Sequence, residues 1–452
     1  MKIVISGCGK IGVTVLESLV NEGHDITVID NDPAVIEEIT NLFDVMGVCG
    51  SCTDCDVLRE ARIDEAEMFV STSASDEINM LSCFIAKRMG AKHTISRIRN
   101  PEYNYSALAF LRHQLDLSMA INPDMLVAQD LYNILKFPSA MKIEHFSRRN
   151  FQMIELNLKP DSALDGMSLI QMRAKYSAKV LVCAVQRGDK VFIPKGNFVL
   201  KSNDRIGITA TPTEAVKFFK ELNVYQKEAK DIMILGGSRI AYYLAKMLIA
   251  SGSSVKIIER DSEVIQRFCD DIPKATIVAG DGAQQELLLE EGIKDTEAFV
   301  SLTGSDEENI LMSVFAASLE VPKTIAKVNK EELSNLAKNL GLDSIVSPRE
   351  VVSDVVVRYA RALRHSLGSN IETLYRLFSD QVEAIEFKVS SEFEMKNVPL
   401  KEMPLKEHIL IAGIVRERKP IIPTGDDVIL PNDRVIIIAE GQRIQNLSDI
   451  LR

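Results

Sequence analysis

Short apolar runs alternate with stretches of helical periodicity through most of the chain. The run KIVI leads into a glycine-rich turn and then into VTVLESLV, where apolar residues recur at helical spacing. Repeated strand-helix alternation of this kind is typical of a parallel sheet covered by helices. Other stretches, such as QRGDKVFIP and KSNDRIGITA, contain short strands and turns instead, and they predict a smaller α+β domain.

This pattern occurs twice in the chain. The segment DIMILGGSRIAYYLAKMLIASGSSVKIIERD repeats KIVISGCGKIGVTVLESLVNEGHDITVIDND, so that Gly7 aligns with Gly236 and Asp30 with Glu259, 229 residues apart in both cases. AEMFVSTSASDEINML is matched by TEAFVSLTGSDEENIL, and the triplet NDR at 203–205 recurs at 432–434. Repeats in several separated blocks indicate a tandem duplication of a two-part unit.

The predicted fold class is therefore α/β, with two Rossmann-like doubly wound parallel-sheet domains, each followed by a small α+β domain. We expect the domains at 1–138, 139–225, 229–365 and 370–452, with a linker between the halves at 223–231. Two helices, at 122–135 and 347–363, each begin with an Asn or Ser cap followed by proline, a typical helix start. Their broad apolar stripes predict packing across a domain or subunit boundary, and we expect them to carry subunit contacts.

The turn SGCGKIG has the glycine spacing of a dinucleotide-binding loop. Gly7 would allow the tight turn, Gly9 would let the backbone approach a pyrophosphate, and Gly12 would let helix and strand pack closely. The following helix would offer its N-terminus to the phosphates. Asp30 ends the next strand, where a carboxylate accepts ribose hydroxyls and favours NAD over NADP. An ordinary strand-helix turn is the alternative interpretation.

The second copy of the loop, GGSRIA, departs from this pattern. Ser238 stands where Gly9 is in the first copy, and Ala241 replaces Gly12, while Glu259 keeps the ribose-binding carboxylate. One interpretation is a fold retained without a ligand. The other is a weaker or different adenine nucleotide, with Arg239 as a phosphate partner. Both predict that the first loop binds better than the second.

Composition and charge exclude some classes of function. The 452 residues carry a net charge of −11 and no long basic run, which argues against binding nucleic acid. Apolar stretches are too short for a membrane span, no signal peptide is expected at the N-terminus, and seven cysteines without an extracellular framework fit a reducing cytosol. The six histidines are scattered, and His145 lies at a domain change where a connecting strand is as plausible as a site.

Without a recognisable acid-base cluster, binding without turnover is favoured. An NAD-dependent oxidoreductase with a duplicated Rossmann domain remains the alternative. A redox-sensing transcriptional regulator is a third possibility, which the missing basic helix disfavours.

The segment VCGSCTDCDVL contains three cysteines at C-x2-C spacing, Cys49, Cys52 and Cys55. A zinc or iron–sulfur site would need a fourth ligand, which would have to be Cys8 or Cys83. The favoured interpretation is a strand that ends at Cys49, followed by a helix whose capping box joins Thr53 to Asp56. No metal is expected here, and a thiol activated by the helix N-terminus would be at Cys55.

Several of these segments together resemble the TrkA family, the cytosolic regulatory subunits of Trk-type potassium uptake systems. They are GCGKIG…VID, STSASDEINML, ISRIRNPEY and the duplicated RGDKVFIPKGNFVLKSNDR. The resemblance implies a protein that is not an enzyme and binds NAD(H), and ATP or ADP. It also implies a homo-oligomeric ring, peripheral on the inner face of the cell membrane, beneath a potassium-translocating membrane subunit that the ring gates.

To gate the membrane subunit, the ligand would bind two conformations of the ring with different affinities and so favour one of them. The acidic net charge would suit a membrane partner whose cytosolic loops are rich in Lys and Arg.

The residues expected to bind cofactor are Gly7, Cys8, Gly9, Lys10, Ile11, Gly12, Asp30, Ser73, Arg97 and, in the second copy, Glu259. By the resemblance, Ser73 supplies a hydroxyl near the cofactor. Arg97 would make a charge-assisted contact to phosphate, with a surface salt bridge as the alternative. Three further residues at the start of the next helix are interpreted as helix caps or ligand contacts: Asp76, Glu77 and Asn79.

Overall fold

The computed structural model describes residues 1–103, 105–146, 151–342, 344–365, 371–378, 381–442, 444 and 446–452. These residues form four sheets, two parallel and two antiparallel, in the order that the duplication predicts.

The first sheet is built from the N-terminal strands, which are apolar on both faces because helices cover both sides. The strands are β1 (Lys2–Ser6), β2 (Asp25–Asp30), β3 (Met46–Cys49), β4 (Met68–Ser71), β5 (His93–Arg97) and β6 (Met119–Ile121). The helices are α1 (Lys10–Asn21), α2 (Pro33–Leu42), α3 (Cys55–Glu60), α4 (Asp76–Met89), α5 (Tyr105–Gln114) and α6 (Pro123–Lys136). All neighbouring strands are parallel, in the order β3-β2-β1-β4-β5-β6, which is the Rossmann order.

A five-stranded antiparallel sheet follows the first Rossmann unit. Its elements are β7 (Lys142–Phe146), β8 (Phe151–Asn157), α7 (Leu169–Lys175), β9 (Leu181–Arg187), β10 (Lys190–Phe192), β11 (Arg205–Ala210) and α8 (Pro212–Glu221). The strand order is β10-β9-β11-β8-β7. His145 lies within β7, so this segment forms the connecting strand that the sequence allowed.

The second half repeats the Rossmann unit. Its elements are β12 (Asp231–Leu235), α9 (Arg239–Ala250), β13 (Ser254–Glu259), α10 (Ser262–Asp271), β14 (Thr276–Ala279), α11 (Gln285–Glu290), β15 (Ala298–Ser301), α12 (Asp306–Ser318), β16 (Lys323–Lys327), α13 (Glu331–Asn339), β17 (Ile345–Val346) and α14 (Pro348–His365). The order β14-β13-β12-β15-β16-β17 is that of the first sheet. The predicted fold class is therefore confirmed.

The last sheet repeats the small domain with fewer helices. Its strands are β18 (Ile371–Leu377), β19 (Val382–Lys388), β20 (Ile409–Arg416), β21 (Lys419–Ile421) and β22 (Arg434–Glu440), in the order β18-β19-β22-β20-β21. Short 3-10 turns at Leu400–Glu402 and Leu447–Ile450 stand near the positions of α7 and α8. The two antiparallel sheets share an apolar core that includes Phe151 from the first and Phe378 and Ile436 from the second.

The two helices that end the Rossmann units are exchanged between the halves. Leu131 of α6 belongs to the core of the second Rossmann unit, with Leu244 of α9. Val356 of α14 belongs to the core of the first, with Leu16 of α1. We expected these apolar stripes to pack across a domain or subunit boundary and to carry subunit contacts. They pack across the boundary between the two Rossmann units, so the domain alternative is confirmed, and the expectation of subunit contacts is wrong for the stripes themselves. Because the duplication puts both partners into one chain, the stripes are buried within it.

None of the helices in the described part of the chain combines the length and the apolar run that a membrane crossing requires.

Candidate functional site

Gly7 and Gly12 are required by the packing of the first loop itself. Gly7 has φ +84°, and a Cβ there would lie 2.5 Å from the backbone nitrogen of Ser73. A Cβ on Gly12 would lie 2.0 Å from the carbonyl oxygen of Gly7. Both positions therefore exclude larger residues for reasons internal to the chain.

Gly9 is different, because nothing in the chain comes close to it. A Cβ at Gly9 would meet no atom within 4 Å. The residue caps α1 with no side-chain hydrogen bond to the first-turn amides. Free amide groups at a helix N-terminus form a natural site for an anion. The geometry at Gly9 therefore suits a phosphate that approaches from outside the chain.

In the second loop, the side chain of Ser238 occupies the place that is empty at Gly9. Its hydroxyl accepts a hydrogen bond from the backbone N–H of Ala241, at 3.3 Å, and so caps α9. The amide that a phosphate would use already has an acceptor. The substitution thus acts by occupying a donor as well as by adding a side chain.

Both acidic residues at the ends of the second strands hold their own loops. Asp30 accepts hydrogen bonds from the backbone N–H groups of Cys8, at 2.7 Å, and Asp32, at 3.0 Å. Glu259 likewise accepts hydrogen bonds from the backbone N–H groups of Gly237, Arg260 and Asp261. A carboxylate has about four acceptor positions, so Asp30 retains capacity for ribose hydroxyls.

Ser73 and Arg97 meet through Asn79, whose side chain is buried. The amide oxygen of Asn79 accepts hydrogen bonds from the backbone N–H of Ser73, at 2.8 Å, and from its hydroxyl, at 2.7 Å. The amide nitrogen donates to the carbonyl oxygens of Ser73 and Arg97. Asn79 thus acts as a bridge inside the chain, and it positions two residues expected at the cofactor.

Arg97 is a buried cation beside the glycine loop. The residue is 92% buried, and one terminal nitrogen donates to the carbonyl oxygen of Ser73 at 2.6 Å. Its Nε has no hydrogen-bond partner among the described residues. Burial lowers its pKa, and Arg99 and Arg239 act in the same direction, while Asp76 and Asp124 oppose them. An arginine stays charged even so, and its unused donor suits an anion.

The other residues at the head of α4 have structural partners. Ser75, not Asp76, caps the helix and accepts from the backbone N–H of Ile78. Asp76 accepts from the backbone N–H groups of Arg99, at 2.8 Å, and of the next residue, at 2.7 Å. Glu77 accepts from the hydroxyl of Ser75. These bonds account for Asp76 and Glu77 without a ligand.

A cluster of charged residues at the start of α6 was missed by sequence reasoning. Arg99 forms an ion pair with Asp124 of α6, at 2.8 Å. Asp124 also lies near Lys327, the counterpart of Arg97, and burial lowers the pKa of Lys327. Arg239, considered only for the second loop, is close enough to Arg97 to affect its pKa. The only sequence signal was the Asn-Pro-Asp helix start.

The second loop borders a cavity of about 430 Å³. Its lining includes Ser238, Glu259, Asp281, Thr303 and Glu308. In the aligned segments Glu308 occupies the position of Ile78 in the first half. The cavity therefore has room for a ligand but carries three carboxylates, which disfavour a polyphosphate.

The cysteines of the first half do not form a metal site in the structure. Within the described ranges, no three Cys, His, Asp or Glu side chains come together as metal ligands. The strand β3 ends at Cys49 as expected, but the predicted capping box is wrong, since Asp54 and not Thr53 caps α3. The carboxylate of Asp54 accepts a hydrogen bond from the backbone N–H of Asp56, at 2.8 Å. Burial, with the charge of Asp30, raises the pKa of Cys8 to about 12.

Comparison with known proteins supports the same organisation. Residues 3–123 and 232–348 match the TrkA-N domain, and residues 153–223 and 384–452 match the TrkA-C domain. The chain is 31% identical over 452 residues to the Trk system potassium uptake protein TrkA homolog of Archaeoglobus fulgidus, covering 100% of both chains. It is 29% identical over 450 residues to the Trk system potassium uptake protein TrkA of Haemophilus influenzae, covering 98% of this chain and 95% of that one.

A solved structure described as the GsuK channel bound to NAD shares the fold, with a TM-score of 0.63 and 17% identity, covering 97% of this chain and 77% of that one. None of these three proteins carries the name of an enzyme. With both halves matched in TrkA-N and TrkA-C order, and with a full-length relative above 30% identity, this chain belongs to the TrkA family of Trk potassium uptake proteins.

Proposed function

We propose that this protein is a nucleotide-sensing regulatory subunit that binds NAD(H), or an adenine nucleotide, at the first glycine loop without turnover. The observation that carries the proposal is the uncapped N-terminus of α1 at Gly9, with Asp30 and the buried Arg97 beside it. The expected binding residues remain Gly7 to Gly12, Asp30, Ser73 and Arg97. Glu259 remains the candidate in the second half, with a weaker or different ligand.

The ligand would act on a potassium-translocating membrane subunit of the Trk type. The names of the relatives support this partner, and the partner would hold the protein at the inner face of the cell membrane. The protein would have two conformations, and the membrane subunit would conduct potassium in one and not in the other. Occupancy of the first loop would favour one of the two.

Assembly into a homo-oligomeric ring is supported by an exposed apolar residue at the same position of both halves, Leu81 of α4 and Leu311 of α12. Other exposed apolar residues lie nearby in each half: Ile78 and Phe110 in the first, and Leu336 and Leu340 in the second. Single exposed apolar residues are ordinary, but a position that is exposed and apolar in both halves fits a repeated contact. Replacing Leu81 and Leu311 by glutamate should reduce the mass of the assembly in native mass spectrometry.

The function is tested by potassium flux into vesicles that contain the membrane subunit. We expect flux to depend on added protein and to change several-fold when NADH or ATP is added. Gly9→Ser should remove most of the nucleotide effect, whereas the matched variant Ser238→Gly should keep it. Flux that ignores nucleotide in the unmodified protein would contradict the proposal.

The acidic surface gives a second test of the partnership. The net charge of −11 would attract cytosolic loops rich in Lys and Arg, and such attraction is screened by salt. Sedimentation with the membrane subunit should therefore weaken as the salt concentration rises. Association that is independent of salt would show that charge does not drive docking.

A further inference from the structure

Arg361, near the end of α14, joins three parts of the molecule. Its guanidinium donates to both carboxylate oxygens of Glu22, at 2.7 and 2.5 Å, and to both of Glu383, at 2.9 and 2.7 Å. Glu22 caps the C-terminus of α1 in the first Rossmann unit, and Glu383 lies on β19 of the last sheet. The side chains of Arg361 and Glu22 are more than nine-tenths buried. We call these three residues the Arg361 clamp.

The position of Glu22 is unfavourable without this partner. A carboxylate at the C-terminus of a helix opposes the helix dipole, and a buried carboxylate requires a counter-charge. Burial alone would lower the pKa of Arg361, but Glu383 and Glu22 raise it above its ordinary value. Glu22 therefore does not stabilise its own helix. Its role is to bind Arg361, which joins α1 to β19.

The clamp and the glycine loop lie at opposite ends of the same helix. The helix α1 has 12 residues, a length of about 18 Å. Between its ends, α1 packs on α14 through Val15, Leu16 and Leu19, and the hydroxyl of Ser353 donates to that of Ser18 at 2.7 Å. A shift of α1 at the phosphate end must therefore displace α14 or strain the clamp.

The other exchanged helix, α6, forms no equivalent clamp among the described residues. Counting from the starts of α6 and α14, the counterpart of Arg361 is Lys136, which bonds Glu228 in the linker. The counterpart of Glu22 is Ser251. Aligning β8 with β19 from their first residues makes Gln152 the counterpart of Glu383. Neither counterpart is a carboxylate, so Lys136 has no acid at the two positions equivalent to Glu22 and Glu383.

We propose that the Arg361 clamp couples occupancy of the first glycine loop to the position of the last antiparallel sheet. This inference rests on nucleotide binding at that loop, as proposed above. The coupling would run through α1 to Glu22 and Arg361, and from there to Glu383 on β19. The second loop, which lacks the clamp, would have no such route.

The test compares hydrogen exchange with calorimetry on the full chain, using NADH as the probe. In the unmodified protein, NADH should change amide exchange in β19 by about five-fold or more, the lower range of typical allosteric coupling. The variant E22Q/R361M/E383Q replaces the three charged side chains by neutral ones of similar length. It should bind NADH yet lose the β19 response. Glu383→Gln alone, which leaves Arg361 paired with Glu22, provides the same test if the triple variant does not fold.

The matched control is K136M/E228Q, which removes the ion pair between α6 and the linker and should keep the β19 response. A response that survives in both clamp variants would overturn the coupling. So would NADH binding by the unmodified chain without any change in β19. If NADH does not bind at all in the calorimeter, the proposed function fails first, and the inference falls with it.

Discussion

The two glycine loops descend from one sequence, yet they treat the start of the following helix in opposite ways. The helix α1 begins at Gly9 without a side-chain cap from that residue, whereas Ser238 caps α9 with its own hydroxyl. The carboxylates Asp30 and Glu259 hold their loops by equivalent backbone hydrogen bonds. The comparison teaches that a duplicated fold can keep its internal scaffold while one copy loses the contacts that only a ligand would use.

The surroundings of the loops differ in the same direction. The first loop has Arg97 with an unused donor where the second has Lys327, and the cavity of the second adds Asp281 and Glu308 to the carboxylate that both loops share. Three independent differences, in the cap, the cation and the acids, all favour a phosphate at the first loop.

The largest effect is expected from removing the buried cation. Arg97→Met should weaken NADH binding by roughly 10- to 100-fold, because a charge-assisted hydrogen bond contributes about 1.5–3 kcal/mol. Lys327→Met, the matched change in the second half, should leave the affinity within about two-fold. Calorimetry on the full chain measures both. Equal losses from the two variants would show that the cations do not distinguish the loops.

A smaller effect on folding should separate Gly12 from Ala241. A Cβ at Gly12 would come 2.0 Å from the carbonyl oxygen of Gly7, so Gly12→Ala should destabilise the first half by about 1–3 kcal/mol. Ala241→Gly, the reverse change, should cost only about 1 kcal/mol for a helical glycine. Urea unfolding without nucleotide measures both. A neutral Gly12→Ala would mean that the two loops pack alike.

The smallest effect concerns the exchanged helices. Burial, followed by the charge of Glu144, raises the pKa of Asp130 on α6 from 3.8 to about 7, with Asp354 acting in the same direction and Lys142 and Arg358 against it. The folded protein thus binds a proton that the unfolded chain releases, and stability should fall as pH rises from about 4 to about 7.

The contribution of Asp130 to the free energy of unfolding changes by on the order of 1 kcal/mol between pH 6 and 8. Thermal unfolding of the unmodified chain should lose that increment over this range, and Asp130→Asn should flatten the profile. The equivalent position on α14 is Val355, so the second exchanged helix has no acid at that position. A pH profile that does not change in Asp130→Asn would contradict the assignment.

Local patterns were sufficient to predict the duplicated Rossmann order, because strand runs, glycine turns and terminal acids occur at fixed spacing. The same patterns were insufficient for the exchange of α6 and α14. An apolar stripe shows that a helix must be buried, but it does not name the partner. The Arg361 clamp joins residues 339 positions apart, and no local signal marks such a contact.

Within the site, the role of Asn79 also lay beyond sequence reasoning. Its position at the head of α4 suggested a cap or a ligand contact, whereas its amide bridges Ser73 and Arg97. A one-residue error at Asp54 has a similar cause, since either Thr53 or Asp54 can cap a helix and only the backbone decides which one does.

The asymmetry of the two loops is tested most directly by titrating NADH into the full chain, its Gly9→Ser variant and its Ser238→Gly variant by calorimetry. The account predicts one tight site per chain. Its affinity for NADH should fall by about ten-fold or more in Gly9→Ser and stay unchanged in Ser238→Gly. Two sites of equal affinity in the unmodified chain, or a tight site that survives Gly9→Ser, would contradict it.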